Sequence, residues 1–167
     1  FCYFYVLMRK NPIHSDYYSP VEWEKIMAFS ETKETPFLVV TLDKIRLKFG
    51  EFRTGFPPAK IYYAVKANPD LAVLSLLRDL GSSFDVASIY ELNDMLELGV
   101  SPDRLSFGNT IKKARHVREA SQKGVRLFAS DSETDIRNLA REAPGSRVFF
   151  RILMDAITSD ADWPLSR

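Results

Sequence analysis

The segment Tyr62-Tyr63-Ala64-Val65-Lys66-Ala67-Asn68-Pro69 sets one lysine at the end of an apolar run, Ile61 to Val65, and follows it with a helix-breaking Asn-Pro pair. A bare charge at the end of a buried strand is costly. Burial disfavours the charged form of a lysine and favours the neutral amine. A neutral amine is a nucleophile that condenses with aldehydes, and this is how a protein lysine holds pyridoxal phosphate (PLP). The competing reading is structural: the side chain snorkels from a strand terminus into water. Residue types alone leave both open.

Chemistry at Lys66 needs a scaffold, and the remaining chain reads as a repeating one. Short β-branched or aromatic runs predict strands over 37–41, 60–65, 83–86, 104–107, 125–129 and 147–153. Between them lie helical spacings. Residues 42–56 put Ile45, Phe49 and Phe52 on one face, and 71–80 and 89–98 carry leucines at three- and four-residue steps. The segments 111–122 and 133–143 read as more polar helices. Asp70, Ser88 and Ser132 are N-cap residues, and Ser88 with Glu91 three positions on predicts a capping box. Gly81, Gly99 and Gly124 fall just past helix ends, and Pro102 and Pro144 stop the helices.

From residue 60 the strands start roughly 20 to 23 residues apart, a spacing that implies parallel strands joined by helical crossovers. The strands lack clean alternation, as expected of strands buried on both faces. Both a doubly wound open sheet and a (β/α)8 barrel satisfy this pattern, and both gather chemistry at the carboxyl ends of strands. Lys66, Asp85, Asn109, Asp131 and Arg151 all fall at or near such ends. A barrel takes about 250 residues. The chain has 167 residues and five strands from Lys60 onward, so it reads as the first part of a larger protein.

The bulk numbers exclude several classes. Lys and Arg total 23 against 22 Asp and Glu, so no basic face marks a nucleic-acid protein. The group Lys112-Lys113-Ala114-Arg115 reads as solvated surface. The single cysteine, Cys2, allows no internal disulfide, and neither it nor the distant pair His14 and His116 makes a metal site. The lack of disulfides fits a reducing, cytoplasmic setting. No stretch of roughly 20 apolar residues marks a membrane span. Residues 1–8 are apolar and precede Arg9-Lys10, the wrong order for a signal peptide. Met8 is the expected natural start, with residues 1–7 as translated upstream sequence.

Several strings then coincide: Thr35-Pro36-Phe37, Tyr63-Ala64-Val65-Lys66-Ala67-Asn68, Phe84-Asp85-Val86-Ala87-Ser88 with Glu91, Gly108-Asn109-Thr110-Ile111-Lys112, Asp131-Ser132-Glu133 and Arg151-Ile152. In order and spacing, from Asp16 to Arg167, the chain resembles the ornithine decarboxylase group. It is similar in particular to short bacterial ornithine and lysine/ornithine decarboxylases. The resemblance implies an α/β fold, the first part of an alanine-racemase-like (β/α)8 TIM barrel with about five of its eight strands. It assigns 1–36 to an N-terminal tail and helix and 37–167 to the PLP-binding barrel, with the family's C-terminal β-domain outside the chain. It also implies PLP as cofactor, a homodimer, and decarboxylation of a basic amino acid, a small-molecule substrate. That substrate is ornithine, giving putrescine and CO2 in polyamine biosynthesis, or lysine, giving cadaverine.

By the same resemblance Lys66 holds PLP, Asp85 stands near that lysine, and Arg151 lies beside the cofactor ring. Glu91 occupies another position near the site, and Ala64 and Asn68 flank Lys66 in the pocket. Asp85 also reads as a strand-end cap, and Glu91 as the capping-box acid of its helix. The family's ring-stacking histidine, glycine-rich phosphate loop and pyridine-nitrogen glutamate find no match in these residues, and His14 and His116 do not replace them. The 167 residues alone are therefore expected to be inactive and poorly folded. A non-catalytic PLP-binding or regulatory homologue is the alternative.

Overall fold

The computed structural model describes residues 17–152. The expected start at Met8, Cys2, His14 and the end of the strand expected over 147–153 lie outside the described residues. Chain packing separates two units, residues 1–42 and 43–167.

In the first unit, helix α1 spans Pro20–Ser30. Ser19 Oγ accepts from the Glu22 amide at 3.3 Å, and Glu22 Oε2 accepts from the Ser19 amide at 2.8 Å, a complete capping box. No residue of α1 is buried. Phe29 and Phe37 meet edge to face, with centroids 6.5 Å apart. The strand expected over 37–41 is irregular chain instead. Leu38 is 74% exposed there. Strand propensity reflects fit against neighbouring strands, and no described strand pairs with this segment.

The second unit alternates strand and helix. Helix α2 (Leu42–Gly55) begins at the unit boundary and is followed by β1 (Tyr62–Ala64) and a 3-10 turn over Val65–Ala67. Then come α3 (Leu71–Asp79), β2 (Ser83–Val86), α4 (Ile89–Glu97), β3 (Leu105–Phe107), α5 (Ala114–Gln122), β4 (Leu127–Ser130), α6 (Glu133–Glu142) and β5 (Arg147–Phe150). The sheet order is β1-β2-β3-β4-β5, all parallel. That order settles the architecture. A doubly wound sheet reverses its strand order at a switch point. Here each strand joins the outer edge of the one before, as in a barrel wall. The chain folds as five consecutive strands of a (β/α)8 barrel. On its outer edge β5 has no partner among the described residues, and Phe149 and Phe150 are 40% and 57% exposed.

The helix-facing side of the sheet is the core. Phe84, Val86, Leu105, Phe107 and Phe128 pack with Val73, Leu74, Leu77, Leu92 and Val117 from the helices. From α2, Phe49 is buried and Ile45 packs against the same cluster, but Phe52 is 59% exposed, so the expected three-residue face is two. Unlike the expectation from pattern, β2 and β3 do alternate. Ser83 and Asp85 face away from Phe84 and Val86, and Ser106 faces away from Leu105 and Phe107. Leu92 is 0% exposed. Leu92→Ala should cost about 2–5 kcal/mol through lost burial and a residual cavity, read as a lowered urea midpoint of the full-length protein.

Helix ends follow their sequence signals. Asp70, Ser88 and Ser132 each accept from an amide of the first turn, and Gly81, Gly99 and Gly124 adopt positive φ. Helix α5 starts at Ala114, three residues later than its spacing suggests. The residues before it are held otherwise: Asn109 Oδ1 accepts from the Ile111 amide at 3.1 Å, and the Lys112 side chain turns inward.

Candidate active site

The carboxyl ends of β1, β2, β3 and β5 place the candidate residues. Register pairs Ala64 with Asp85 and Asp85 with Ser106, so these three side chains form a row on the face away from the helices. Half-buried Asp85 is fixed by Ser106, whose Oγ donates to Oδ1 at 2.5 Å. Beyond β3, Gly108 continues the ladder, its amide donating to the Val86 carbonyl at 2.9 Å. A Cβ at Gly108 would overlap the Asp85 carboxylate. The constraint is space, since Gly108 does not adopt a positive φ. From the far edge, Arg151 Nη2 donates to the Gly108 carbonyl at 3.0 Å, and its amide extends the β4–β5 ladder onto Ser130. Exposed and hydrogen-bonded, Arg151 carries no buried unpaired charge.

Glu91 serves a related purpose. Its Oε2 accepts from the Ala87 amide at 2.7 Å, one residue earlier than a capping box on Ser88 requires. Ser88 Oγ still caps the Glu91 amide at 3.1 Å. On the other side of Ala87, Asn109 Nδ2 donates to its carbonyl at 3.1 Å. Ser106 thus bonds Asp85, Arg151 bonds Gly108, and the two pairs meet where Gly108 leaves no room for a Cβ beside the Asp85 carboxylate, with Ala87, Glu91 and Asn109 bonded at the rim.

Lys66 sits in the 3-10 turn just past β1, not in the strand. It is exposed, and makes no ion pair among the described residues. The burial argument for a neutral amine is therefore not met here. What the structure supplies is access, with β1 and its turn packed against the strand that carries Asp85. Asn68 closes the turn: its Oδ1 accepts from the Asp70 amide at 3.0 Å, and its carbonyl from Tyr63 Oη at 3.2 Å. Tyr63 is therefore a strap across the turn bearing Lys66. Burial raises its hydroxyl above the ordinary value of 10.0. The unfolded chain gives up this proton first, so the stability contribution is whole below pH 10.0 and is lost as pH rises through the higher folded value. Tyr63→Phe should flatten that alkaline loss, measured as the thermal midpoint against pH.

Sequence reasoning missed two features. Ser106 was not singled out, although its register opposite Asp85 marks it. Lys112, expected at the solvated surface, has a side chain that is 0% exposed and paired with Asp135. His116 lies on α5, and Asp131 is exposed just past β4.

Residues 42–165 match the family described as pyridoxal-dependent decarboxylase, pyridoxal binding domain. The chain belongs to this family. Among its relatives, the lysine/ornithine decarboxylase of Selenomonas ruminantium is 39% identical over 129 residues, 77% of this chain and 33% of that protein. The crystal structure of SrLDC in complex with PLP and cadaverine superimposes with a TM-score of 0.71 at 37% identity, covering 85% of this chain and 36% of that one. Antizyme inhibitor 2 of Xenopus laevis is 32% identical over 139 residues, 83% of this chain and 30% of that protein. The chain spans between about a quarter and a third of the length of the curated relatives it matches.

Pyridoxal phosphate is the cofactor of this family, and the residues present fit it. An accessible lysine amine without an ion pair among the described residues stands beside a wall whose side chains are small or polar: Ala64, Ser106 and the Cβ-less Gly108. A carboxylate and a guanidinium border that wall, each held by a hydrogen bond to the protein.

Proposed function

We propose that this chain is the pyridoxal-binding part of a decarboxylase of basic amino acids, acting on ornithine to release CO2 and putrescine, with lysine as a second substrate. The observation that carries the reading is the juxtaposition, at the strand ends next to Lys66, of the bonded pairs Asp85–Ser106 and Gly108–Arg151, with Gly108 close against the Asp85 carboxylate. In this reading Lys66 Nζ holds the cofactor, and Arg151 and Ala64 border it. Bound PLP supplies an electron sink for the charge left when CO2 departs. With the cofactor bound, the Lys66 amine would be the group that carries a proton to the substrate carbon, and Asp85 would hold and orient that amine. Ser106 keeps the Asp85 carboxylate in place through that step. Glu91 and Asn68 shape the rim rather than react, since their side chains are taken up by the Ala87 and Asp70 amides.

The full-length protein is proposed to be a cytoplasmic homodimer. The 167-residue segment alone is proposed to be inactive and to aggregate, because β5 exposes Phe149 and Phe150 beside an unpaired edge among the described residues. A monodisperse, cooperatively unfolding segment in sedimentation and urea experiments would contradict this.

The activity is tested by release of labelled CO2 from carboxyl-labelled ornithine and lysine by the full-length protein with PLP. Turnover of ornithine above lysine supports the reading, and turnover of neither overturns it. The similarity to antizyme inhibitor 2 favours a second reading, a homologue with a regulatory role. A full-length protein that binds a protein partner and releases no CO2 would fit that instead.

A further inference from the structure

The Lys112 ammonium donates to Asp135 Oδ2 at 2.8 Å and to the carbonyls of Ala129 at 2.7 Å, Asn109 at 2.9 Å and Thr110 at 3.3 Å. Its side chain is 0% exposed and that of Asp135 7%. The acceptors come from three places: the β3–α5 loop, the end of β4 and the first turn of α6. One buried cation therefore ties that loop to two neighbouring elements.

Fold stability is a weak reason for such a pair. Desolvating two charges is expensive, and apolar replacement of a buried ion pair is often neutral or stabilising. The second oxygen of Asp135, Oδ1, has no hydrogen-bond partner among the described residues, so part of that cost goes uncompensated here. An apolar pair would lose the grip on three main-chain carbonyls. Two of those carbonyls belong to Asn109 and Thr110, directly after Gly108. Gly108 abuts the Asp85 carboxylate and takes the Arg151 hydrogen bond, and Asn109 reaches Ala87.

We propose that Lys112 and Asp135 are a positioning pair that sets the place of Gly108 and Asn109 in the cofactor site. This rests on the function proposed above. Neither residue touches the reacting atoms; both act through the loop backbone.

The test uses full-length protein carrying Lys112→Met together with Asp135→Leu, which removes both charges at once. The double variant is expected to keep or raise the thermal midpoint. Its 108–113 amides should exchange roughly tenfold faster while core amides are unchanged. PLP titrated into the apoprotein should bind more weakly, and kcat should fall on the order of 10- to 100-fold, as misplacement of a site predicts. Asp135→Asn, which leaves the lysine and its carbonyl bonds but removes the paired charge, should lower the thermal midpoint and weaken PLP binding and kcat by less than the double variant does. Parental loop exchange and parental PLP affinity in the double variant would overturn the proposal, as would a double variant that fails to fold. If the parent itself releases no CO2, the proposed activity fails, while loop exchange and PLP titration still decide the role of the pair.

Discussion

Lys66→Ala in the full-length protein is expected to lose CO2 release by at least the roughly 10²- to 10⁴-fold that positioned proton transfer contributes, and to lose cofactor trapped by borohydride. Two proposed functions are removed together: the amine that would hold the cofactor and the proton carrier that Asp85 would orient. The structure makes this a clean experiment. Lys66 is exposed on a short turn, makes no ion pair among the described residues, and fills no part of the core. Truncation should therefore leave the thermal midpoint of the apoprotein close to the parent. Equal loss of activity and fold would mean that the lysine braces the turn instead.

The second large effect is expected from Gly108→Ala. The residue needs no unusual backbone conformation, so the added methyl is the whole perturbation. It would occupy space now taken by the Asp85 carboxylate. Either the carboxylate leaves Ser106 or the strand end shifts, at an overpacking cost of about 1–3 kcal/mol. A displacement near 1 Å at a reacting group reduces turnover on the order of 10²-fold. A double-mutant cycle separates the causes. Adding Asp85→Ala should recover the lost thermal stability, because the overlapping atoms are gone, and should not recover turnover. Additive effects would show that Gly108 is required for another reason.

The barrel strands and helix caps were legible in the chain because their causes are local. Asp70, Ser88 and Ser132 cap as their residue types direct, and β2 occupies the four residues that its pattern marks. The strand over 37–41 failed for the opposite reason: strand formation needs a neighbour, and propensity does not name one. Lys66 was located, but its exposure was misjudged. An apolar run before a lysine looks like burial, whereas the turn over Val65–Ala67 carries the side chain out of the strand. Lys112 was hidden inside a basic run. Its partner Asp135 lies 23 residues away, and only the packing of α6 beside the β3–α5 loop brings the carboxylate within reach. Ser106 shows the same limit, since its role exists only opposite Asp85 in the register of β2 and β3.

The most direct test of the account is to treat the full-length PLP-bound protein with borohydride, digest it, and find the residue that carries the reduced pyridoxyl group by mass spectrometry. The account predicts a single modified peptide containing Lys66, absent from Lys66→Ala. Modification at any other lysine, or persistence of the label in Lys66→Ala, would contradict it.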